Sequence, residues 1–392
     1  MKYKYLSLAL ICAVGAGCLL TGCGQGGTAP EPTPEATATP APTPEPTPEP
    51  TPEPIIETVL TGEGPEEILA LLGESKLEYV DARASGYYAE LVQLHEAVPG
   101  AVIEYSVDLG GVEVQSADTY AHLPEGCEIT PEELDEKLGY LPWLERIDIY
   151  DLDWPNEDSM MVQDNHPDKR VIFRLRTAGY DLRTDIEVYS TLPREYEFDT
   201  EKLRPILTYC RDLVCVDIGH QPMFTDIEPL RNLKKLRVLI LADDNIRDLS
   251  PLEDLTELEY LEFFIENQVE DFSPLAKCTK MKDINLCYCR YLKDLSFLDM
   301  MPELENAWFS QGIEQIPIEE QERVKAEHPD CHFEFRLDRY STGDGWRAFD
   351  RNVGIRKAFF NWKNVIHYNN WDDIEFKEGD NIYIFDTFPL NK

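Results

Sequence analysis

Basic residues are scarce in this sequence. Lys and Arg number 36 against 75 Asp and Glu, so the formal net charge is −39. Such a charge repels nucleic acid and anionic lipid headgroups, so it excludes attachment to either by electrostatic attraction. We therefore expect no nucleic-acid partner. The contact surface of a protein partner should be basic, because an acidic one would be repelled.

Cysteines that could form a disulfide framework are also few. Three of the ten cysteines lie in the first 23 residues, and the other seven include no CxxC pair. An odd number without paired spacing argues against a framework of disulfides. Most of the seven are expected to be small buried thiols: Cys127, Cys210, Cys215, Cys278, Cys287, Cys289 and Cys331.

Catalytic motifs are missing as well. The sequence holds no HExxH, no GxSxG and no Gly-rich phosphate loop after a strand, and its carboxylate pairs follow from the sheer number of acids. We predict that the protein is not an enzyme, and we assign it no catalytic residue, metal or cofactor. Two weaker alternatives are a metal at His328, Cys331 and His332, and a Ca²⁺-dependent module in the acidic stretch 151–158.

An apolar run, residues 6–20, follows Lys2 and Lys4 and ends in "LTGC", residues 20–23. It predicts an export signal over 1–22, and a plain membrane helix is the alternative. The "LTGC" stretch resembles the lipobox of bacterial lipoproteins, which implies cleavage before Cys23 and lipidation of that residue. Loss of the two lysines leaves a net charge of −41. The resemblance implies a location on the extracellular side of the bacterial cytoplasmic membrane, with the lipid as the only membrane attachment.

A proline-rich stretch follows the signal. Residues 30–54 contain 11 prolines in 25 positions and favour extended polyproline II. At about 3.1 Å per residue this stretch reaches on the order of 80 Å. We predict that residues 23–54 form a lipid-anchored stalk, or a spacer with no further role.

Residues 191–335 carry a repeat of 22 or 23 residues. Its period is marked by acids that precede a Pro-Leu or Phe-Leu pair: Asp226, Asp248, Asp271 and Asp294. An apolar triplet such as Leu236, Leu239 and Leu241 lies upstream of each. These units resemble the leucine-rich repeat of internalin-type proteins. Because one unit cannot bury its own apolar face, the repeats must stack into a solenoid. Extra residues in three of the units predict irregular turns.

A longer repeat lies in front. Residues 98–118 align with residues 166–186 at an offset of 68, and Ser116 matches Thr184. We predict two degenerate helix–strand–hairpin units over residues 55–190, with tight turns at Gly110-Gly111 and Ala178-Gly179. Their strands are expected to extend the sheet of the repeats.

The order of these parts resembles that of leucine-rich-repeat lipoproteins from Gram-positive anaerobes. The matching segments are "LRTD", residues 182–185, and "STGDGWR", residues 341–347. The resemblance implies display on the cell surface and no particular activity. Residues 336–392 are rich in aromatics and are expected to form a C-terminal cap. The predicted fold class is thus an α/β solenoid, a leucine-rich-repeat horseshoe with degenerate N-terminal units.

In such a solenoid the residues that alternate with the buried leucines point to the concave face, where stacking aligns them in columns. We predict a ligand-binding surface there: Asp148, Asp217, Val238, Ile240, Tyr260, Glu262, Phe264, Asn285 and Trp308. The alternative is that the tail or a loop covers them as core. The predicted function is binding of a protein on this face. A second hypothesis is that the protein binds a wall glycan, with Tyr260, Phe264 and Trp308 as the aromatic platform on which sugars stack.

Overall fold

The computed structural model describes residues 56–74, 76–191, 197–265, 268–310 and 315–336, together with Trp346 and Ile355. These residues belong to the unit Ile55–Lys392, into which the chain divides after Pro54. The predicted signal peptide 1–22, the lipidation site Cys23 and the stalk 23–54 lie outside the described residues, as does most of the predicted cap 336–392. Within the described ranges, no helix has the length and apolarity that a membrane crossing requires.

Two units of similar element order precede the repeats. The first consists of β1 (Ile56–Val59), α1 (Glu66–Leu69), β2 (Leu77–Asp81), α2 (Tyr88–Ala97), β3 (Val102–Glu104), β4 (Ser106–Asp108) and β5 (Glu113–Gln115). The second consists of β6 (Tyr120–His122), α3 (Pro131–Leu138), β7 (Arg146–Asp148), α4 (Asn156–Asn165), β8 (Arg170–Ile172), β9 (Arg174–Thr177) and β10 (Tyr180–Arg183). Helices α2 and α4, and strands β3 and β8, start 68 residues apart, at the offset of the sequence repeat.

The strands of these units do not extend the sheet of the repeats, so that expectation is wrong. They form two separate parallel sheets, β1-β2-β3 and β6-β7-β8, and each is followed by an antiparallel hairpin, β4-β5 or β9-β10. The hairpin follows the third strand directly and leaves it without a further parallel neighbour. Its tight turn uses positive φ at both central residues, Gly110-Gly111 in one unit and Ala178-Gly179 in the other.

A buried hydroxyl holds each hairpin against its sheet. Ser116 donates a hydrogen bond from Oγ to the carbonyl of Ile103 at 2.7 Å and accepts one from the amide of Tyr105 at 3.3 Å. Thr184, the residue that matches Ser116, accepts from the amide of Phe173 at 3.0 Å. Ser116 and Thr184 match in the sequence repeat because each hydroxyl makes the equivalent hydrogen bond to the backbone in its unit.

The repeats form one seven-stranded parallel sheet in chain order. Its elements are β11 (Val188–Ser190), α5 (Thr200–Tyr209), β12 (Cys215–Asp217), β13 (Val238–Ala242), β14 (Tyr260–Phe264), β15 (Asp283–Asn285), β16 (Asn306–Ser310), α6 (Ile318–Glu327) and β17 (His332–Arg336). The inward residues Val216, Leu239, Leu261, Ile284 and Ala307 pair in register and are fully buried. Neighbouring units thus share one continuous apolar core, which confirms the predicted leucine-rich-repeat solenoid.

The repeating acids cap the short 3₁₀-helices that return the chain from one strand to the next. These helices are Glu228–Asn232, Ser250–Asp254, Ser273–Lys277 and Ser296–Met300. In each case an Asp side chain accepts a hydrogen bond from the amide two residues later, at 2.8–2.9 Å. The aspartates fix the start of each return segment, so their period of 22 or 23 residues has a structural cause.

Several strands of the repeats lead into a residue with positive φ. Four such residues are His220, Asp243, Ile265 and Tyr288. Ile265, with φ of 65°, is β-branched, and its Cβ is crowded by the following carbonyl oxygen in this conformation. Of these four residues, Ile265 therefore has the side chain least suited to the left-handed region.

Replacement of Ile265 by glycine is expected to raise the free energy of unfolding by about 0.5–1 kcal/mol, because relief of the strain exceeds the entropy that glycine adds to the unfolded chain. Asp243→Gly is the matched control and should gain less, since Asp tolerates this conformation better. Urea denaturation of both variants measures the difference. A loss of stability in Ile265→Gly that exceeds the loss in Asp243→Gly would contradict the assignment of strain.

Candidate functional site

The outward residues of the seven-stranded sheet lie in columns, as the sequence predicts, and Phe264 pairs with Ala242 in one of them. One column runs through Asp217, Ile240, Glu262, Asn285 and Trp308, which pair strand by strand. Another includes Val238, Tyr260 and Asp283. We call the side of the strands that carries these columns, and its equivalent in the two smaller sheets, the concave face. Asp148 lies at the matching position of β7, between His122 and Ile172.

The predicted ligand-binding residues are not open to solvent. Their exposed fractions range from 0% to 8%: Asp148, Asp217, Val238, Ile240, Tyr260, Glu262, Phe264, Asn285 and Trp308. This corrects the expectation that they form an exposed patch and favours the alternative that they are covered. Polar members are also engaged within the face, as when the Tyr260 hydroxyl donates a hydrogen bond to Glu262.

One residue that lies against this face comes from the C-terminal part of the chain. The ring of Trp346 is 6.0 Å from the ring of Phe264, at an angle of 59°, and its exposed fraction is 1%. Ile355 is fully buried. Phe264 belongs to β14, in the middle of the seven-stranded sheet. The expectation of a C-terminal cap over 336–392 stays a prediction, because nearly all of these residues lie outside the described ranges.

The concave side of the first sheet and of β6, the first strand of the second sheet, is open. Val59, Val102 and Tyr120 have exposed fractions of 72%, 55% and 51%. We define the open surface as the outward residues of β1, β2, β3 and β6: Glu57, Val59, Tyr79, Asp81, Val102, Glu104, Tyr120 and His122. None of these eight residues is among the ligand-binding residues predicted from the sequence, although "IETV", "VIE" and "YAH" in β1, β3 and β6 alternate in the same way.

Acids dominate the polar part of the open surface. The Tyr79 hydroxyl donates a hydrogen bond to Glu104 at 2.8 Å, and this bond raises the pKa of Tyr79. Hydrogen bonds from Arg83 lower the pKa of Asp81 to about 2. Strands β1, β2 and β3 contain no Lys or Arg. The surface therefore combines exposed apolar side chains with ionised carboxylates.

Asp148 belongs to a cluster of ion pairs rather than to an exposed ligand-binding surface. It accepts hydrogen bonds from Arg183 at 2.8 Å and from the amide of Tyr150 at 3.0 Å. The ring of Tyr150 lies 4.3 Å from the Arg174 guanidinium carbon and 4.7 Å from that of Arg183. These contacts give Asp148 a structural role at the boundary between the second sheet and the repeats.

Asp212 is the most connected carboxylate of the same cluster. It accepts hydrogen bonds from Lys235 at 2.6 Å, Arg170 at 3.1 Å and Arg146 at 3.4 Å. Burial opposes its ionisation, but the hydrogen bond from Lys235 and the neighbouring positive charges outweigh burial and lower the pKa of Asp212. Since Arg146 and Arg170 lie in β7 and β8 and Lys235 lies in the repeats, Asp212 joins the two sheets.

Arginines of β9 contact the acidic stretch 151–158, which was considered for Ca²⁺. Asp153 pairs with Arg174 at 3.3 Å and with Arg176. Asn156 accepts from the amide of Arg176 at 3.0 Å and starts α4. The positive charges of Arg174 and Arg176 next to Asp153 oppose the binding of a cation there. Among the described residues, no group of three or more His, Cys, Asp or Glu has the arrangement of a metal site, and His332 lies 3.9 Å from Glu334.

Comparisons with known proteins give matches among solved structures. An internalin C2 from Listeria monocytogenes is 20% identical, over 59% of this chain and 80% of that chain, with a TM-score of 0.26. An internalin (inlF) from the same species is 13% identical, over 70% and 89%, with a TM-score of 0.29. A leucine-rich-repeat protein of Leptospira interrogans is 11% identical, over 67% and 73%, with a TM-score of 0.29.

No known protein-family model matches the sequence, and no curated protein matches it. At these identities and TM-scores, the assignment of the fold depends on features of this chain itself. These are the parallel register of the sheet, its shared core and the period of the capping aspartates. Together they define a leucine-rich-repeat solenoid preceded by two sheet-and-hairpin units.

Proposed function

We propose that this is a cell-surface leucine-rich-repeat protein that binds a protein partner through the open surface of its concave face. The observation that carries the proposal is the exposure of Val59, Val102 and Tyr120 on strand faces whose counterparts in the repeats are buried. Exposed apolar side chains next to charges are typical of protein-binding patches. The activity is binding rather than catalysis.

The partner should present a basic surface with an apolar group at its centre. The charged side chains on the open surface are acidic, with Glu57, Asp81 and Glu104 in its columns. A net charge of −39 further repels acidic partners and accelerates encounter with basic ones. For the same reason, we continue to expect no nucleic-acid partner.

A protein partner is favoured over a wall glycan. The aromatic platform predicted for sugar stacking, Tyr260, Phe264 and Trp308, is buried. Among the described aromatic residues, the open surface retains Tyr79 and Tyr120, and the hydroxyl of Tyr79 is engaged by Glu104. Glycan binding therefore remains an outcome for the screen to detect.

Tyr120→Ala is expected to weaken binding of the captured partner at least tenfold, because a half-exposed Tyr on an apolar patch has the character of a binding hot spot. The stalkless chain from Ile55 is first screened against secreted proteins and wall glycans, and the captured ligand is then titrated against each variant. Ile318→Ala, on α6 and 71% exposed, is the matched control and should bind normally. Equal affinity of the Tyr120→Ala variant and the unaltered chain would contradict the proposal.

Membrane attachment belongs to the same proposal. Cleavage before Cys23 and lipidation of its thiol would place the solenoid outside the cytoplasmic membrane, at the end of the stalk 23–54. A Cys23→Ser chain should then leave the membrane fraction, while the unaltered chain stays there. Partition of the Cys23→Ser chain with membranes would contradict lipid anchoring.

A further inference from the structure

A cavity lies between two neighbouring repeats, outside the concave face. It has a volume of about 480 Å³ and is lined by residues 270–273 of one repeat and by side chains of the segment 291–297 in the next. Both segments lead into the 3₁₀-helices Ser273–Lys277 and Ser296–Met300, and all the lining residues lie outside the strands. Cavities of about 300–1,000 Å³ are typical sites for small molecules, so the size suits a small ligand rather than a protein surface.

At this cavity a tyrosine has the position that an asparagine has in an earlier repeat. Asn245 precedes the capping Asp248 by three residues and donates a hydrogen bond to the carbonyl of Pro222 at 2.6 Å, which ties two repeats together. Tyr291 precedes Asp294 by three residues, but its exposed fraction is 43% and, among the described residues, its hydroxyl has no hydrogen-bond partner. The groove that Asn245 bridges is therefore left unbridged at Tyr291.

Aromatic rings form the apolar part of the lining. The rings of Phe272 and Phe297 are stacked, with centroids 6.4 Å apart at an angle of 25°, and both residues are buried. Tyr291 lines the same cavity and is exposed. An exposed ring next to a buried pair offers a flat apolar surface, which is the partner that the C–H face of a sugar ring requires.

The charged groups of the lining are not committed to contacts within the described part of the chain. Glu270 and Lys293 are exposed, and among the described residues neither has a hydrogen-bond or ion-pair partner. Asp271 and Asp294 each bind the amide two residues later through one carboxylate oxygen. This arrangement differs from the cluster of ion pairs around Asp148. Hydrogen-bond acceptors and a donor thus remain for a ligand.

The mixed charge of the lining favours an uncharged ligand. Glu270, Asp271 and Asp294 repel an anion, and Lys293 offsets part of the attraction for a cation. A ligand rich in hydroxyls uses both kinds of group, because its hydroxyls donate to the carboxylates and accept from the ammonium. Saccharides combine such hydroxyls with an apolar ring face, so they match both parts of the lining.

We propose that this cavity is a binding site for a short uncharged saccharide, with a sugar ring stacked on Tyr291 and its hydroxyls bonded to Glu270 and Lys293. The site goes beyond the proposed binding of a protein, because it shares no residue with the open surface. It also places sugar recognition away from the buried aromatic residues of the concave face.

The test titrates the full chain with four uncharged disaccharides, diacetylchitobiose, cellobiose, maltose and lactose, by saturation-transfer NMR. At least one should bind with a Kd of about 1 mM or tighter. Tyr291→Ala should weaken that binding by about tenfold or more and leave the melting temperature nearly unchanged, because the exposed ring contributes to binding and not to the core. Tyr291→Phe keeps the ring and should stay within about threefold of the unaltered chain.

A variant of the open surface and a basic peptide complete the test. Tyr120→Ala should bind the disaccharide with unchanged affinity, so failure of this proposal and failure of the proposed protein binding are distinguishable. Binding of none of the four disaccharides, or equal affinity of Tyr291→Ala and the unaltered chain, would overturn the proposal. Binding of pentalysine that is lost in Tyr291→Ala, with no disaccharide bound, would assign the cavity to a basic peptide and overturn the proposal as well.

Discussion

Replacement of Asp212 by alanine is expected to lower the free energy of unfolding by about 3–5 kcal/mol. The substitution leaves the guanidinium of Arg170, whose side chain is only 14% exposed, without its carboxylate, and it removes the hydrogen bonds from Lys235 and Arg146. Burial lowers the pKa of Arg170 more than Asp212 raises it, but the group still carries its charge at neutral pH. The cost therefore arises from an uncompensated buried cation at the junction of two sheets.

Asp254→Ala is the matched control for Asp212→Ala. Asp254 also accepts from an Arg and a Lys, Arg231 at 2.6 Å and Lys234 at 2.8 Å, but its side chain is 40% exposed. Water replaces lost partners at an exposed site, so this variant should be destabilised far less. Urea denaturation at pH 7 measures both. Similar losses in the two variants would contradict a buried role for Asp212.

The destabilisation by Asp212→Ala should also depend on pH. The pKa of Asp212 in the folded chain lies below its ordinary value of 3.8, so the folded state binds the proton more weakly than the unfolded state. Its contribution is complete above about pH 4 and is lost as the pH falls through the folded-state pKa. The stabilities of the unaltered chain and the variant should therefore differ less at pH 3 than at pH 7.

Phe263→Ala is expected to lower the free energy of unfolding by about 3–5 kcal/mol, because it leaves a cavity in the shared core. Phe263 is fully buried in β14, and its ring packs edge-on against Phe272 at 6.4 Å. Each repeat contacts mainly its neighbours, so the loss should be local. Hydrogen exchange should accelerate in β13, β14 and β15 well before it does so in β1–β3.

Tyr291→Ala provides the control for Phe263→Ala. Tyr291 lies in the next repeat and is 43% exposed, so its removal leaves the core intact and should change stability little. Uniform loss of protection across all the strands after Phe263→Ala would show that the chain unfolds as one unit. That result would contradict a stack of repeats coupled through their neighbours.

The sequence was sufficient to predict the repeats because their signals are local. The apolar triplets fix which residues turn inward, and the aspartates at intervals of 22 or 23 residues fix where each return segment starts. The division of the N-terminal strands into separate sheets was not predictable in the same way. It depends on the hairpins and on the buried hydroxyls of Ser116 and Thr184, whose partners lie more than ten residues away.

The functional surface was predicted only in part, since alternation says which side of a strand a residue occupies and nothing about what covers it. The columns through Ile240 and Trp308 were placed correctly, but the alternation could predict neither their burial nor the contact between Phe264 and Trp346, 82 residues apart. The open surface around Tyr120 was missed because β6 lies outside the regular repeat. Long-range contacts thus decide which part of the face is available.

Hydroxyl-radical footprinting of the unaltered protein, with mass spectrometry, tests most directly whether the concave face is divided into an open and a closed part. Tyr120, which is 51% exposed, should be oxidised at least several times faster than Tyr260 and Trp308, which are 2% and 3% exposed. The two buried residues should react at the slow rate of Trp346, which is 1% exposed. Oxidation of Tyr260 and Trp308 at the rate of Tyr120 would show an open face along the whole solenoid and contradict the division.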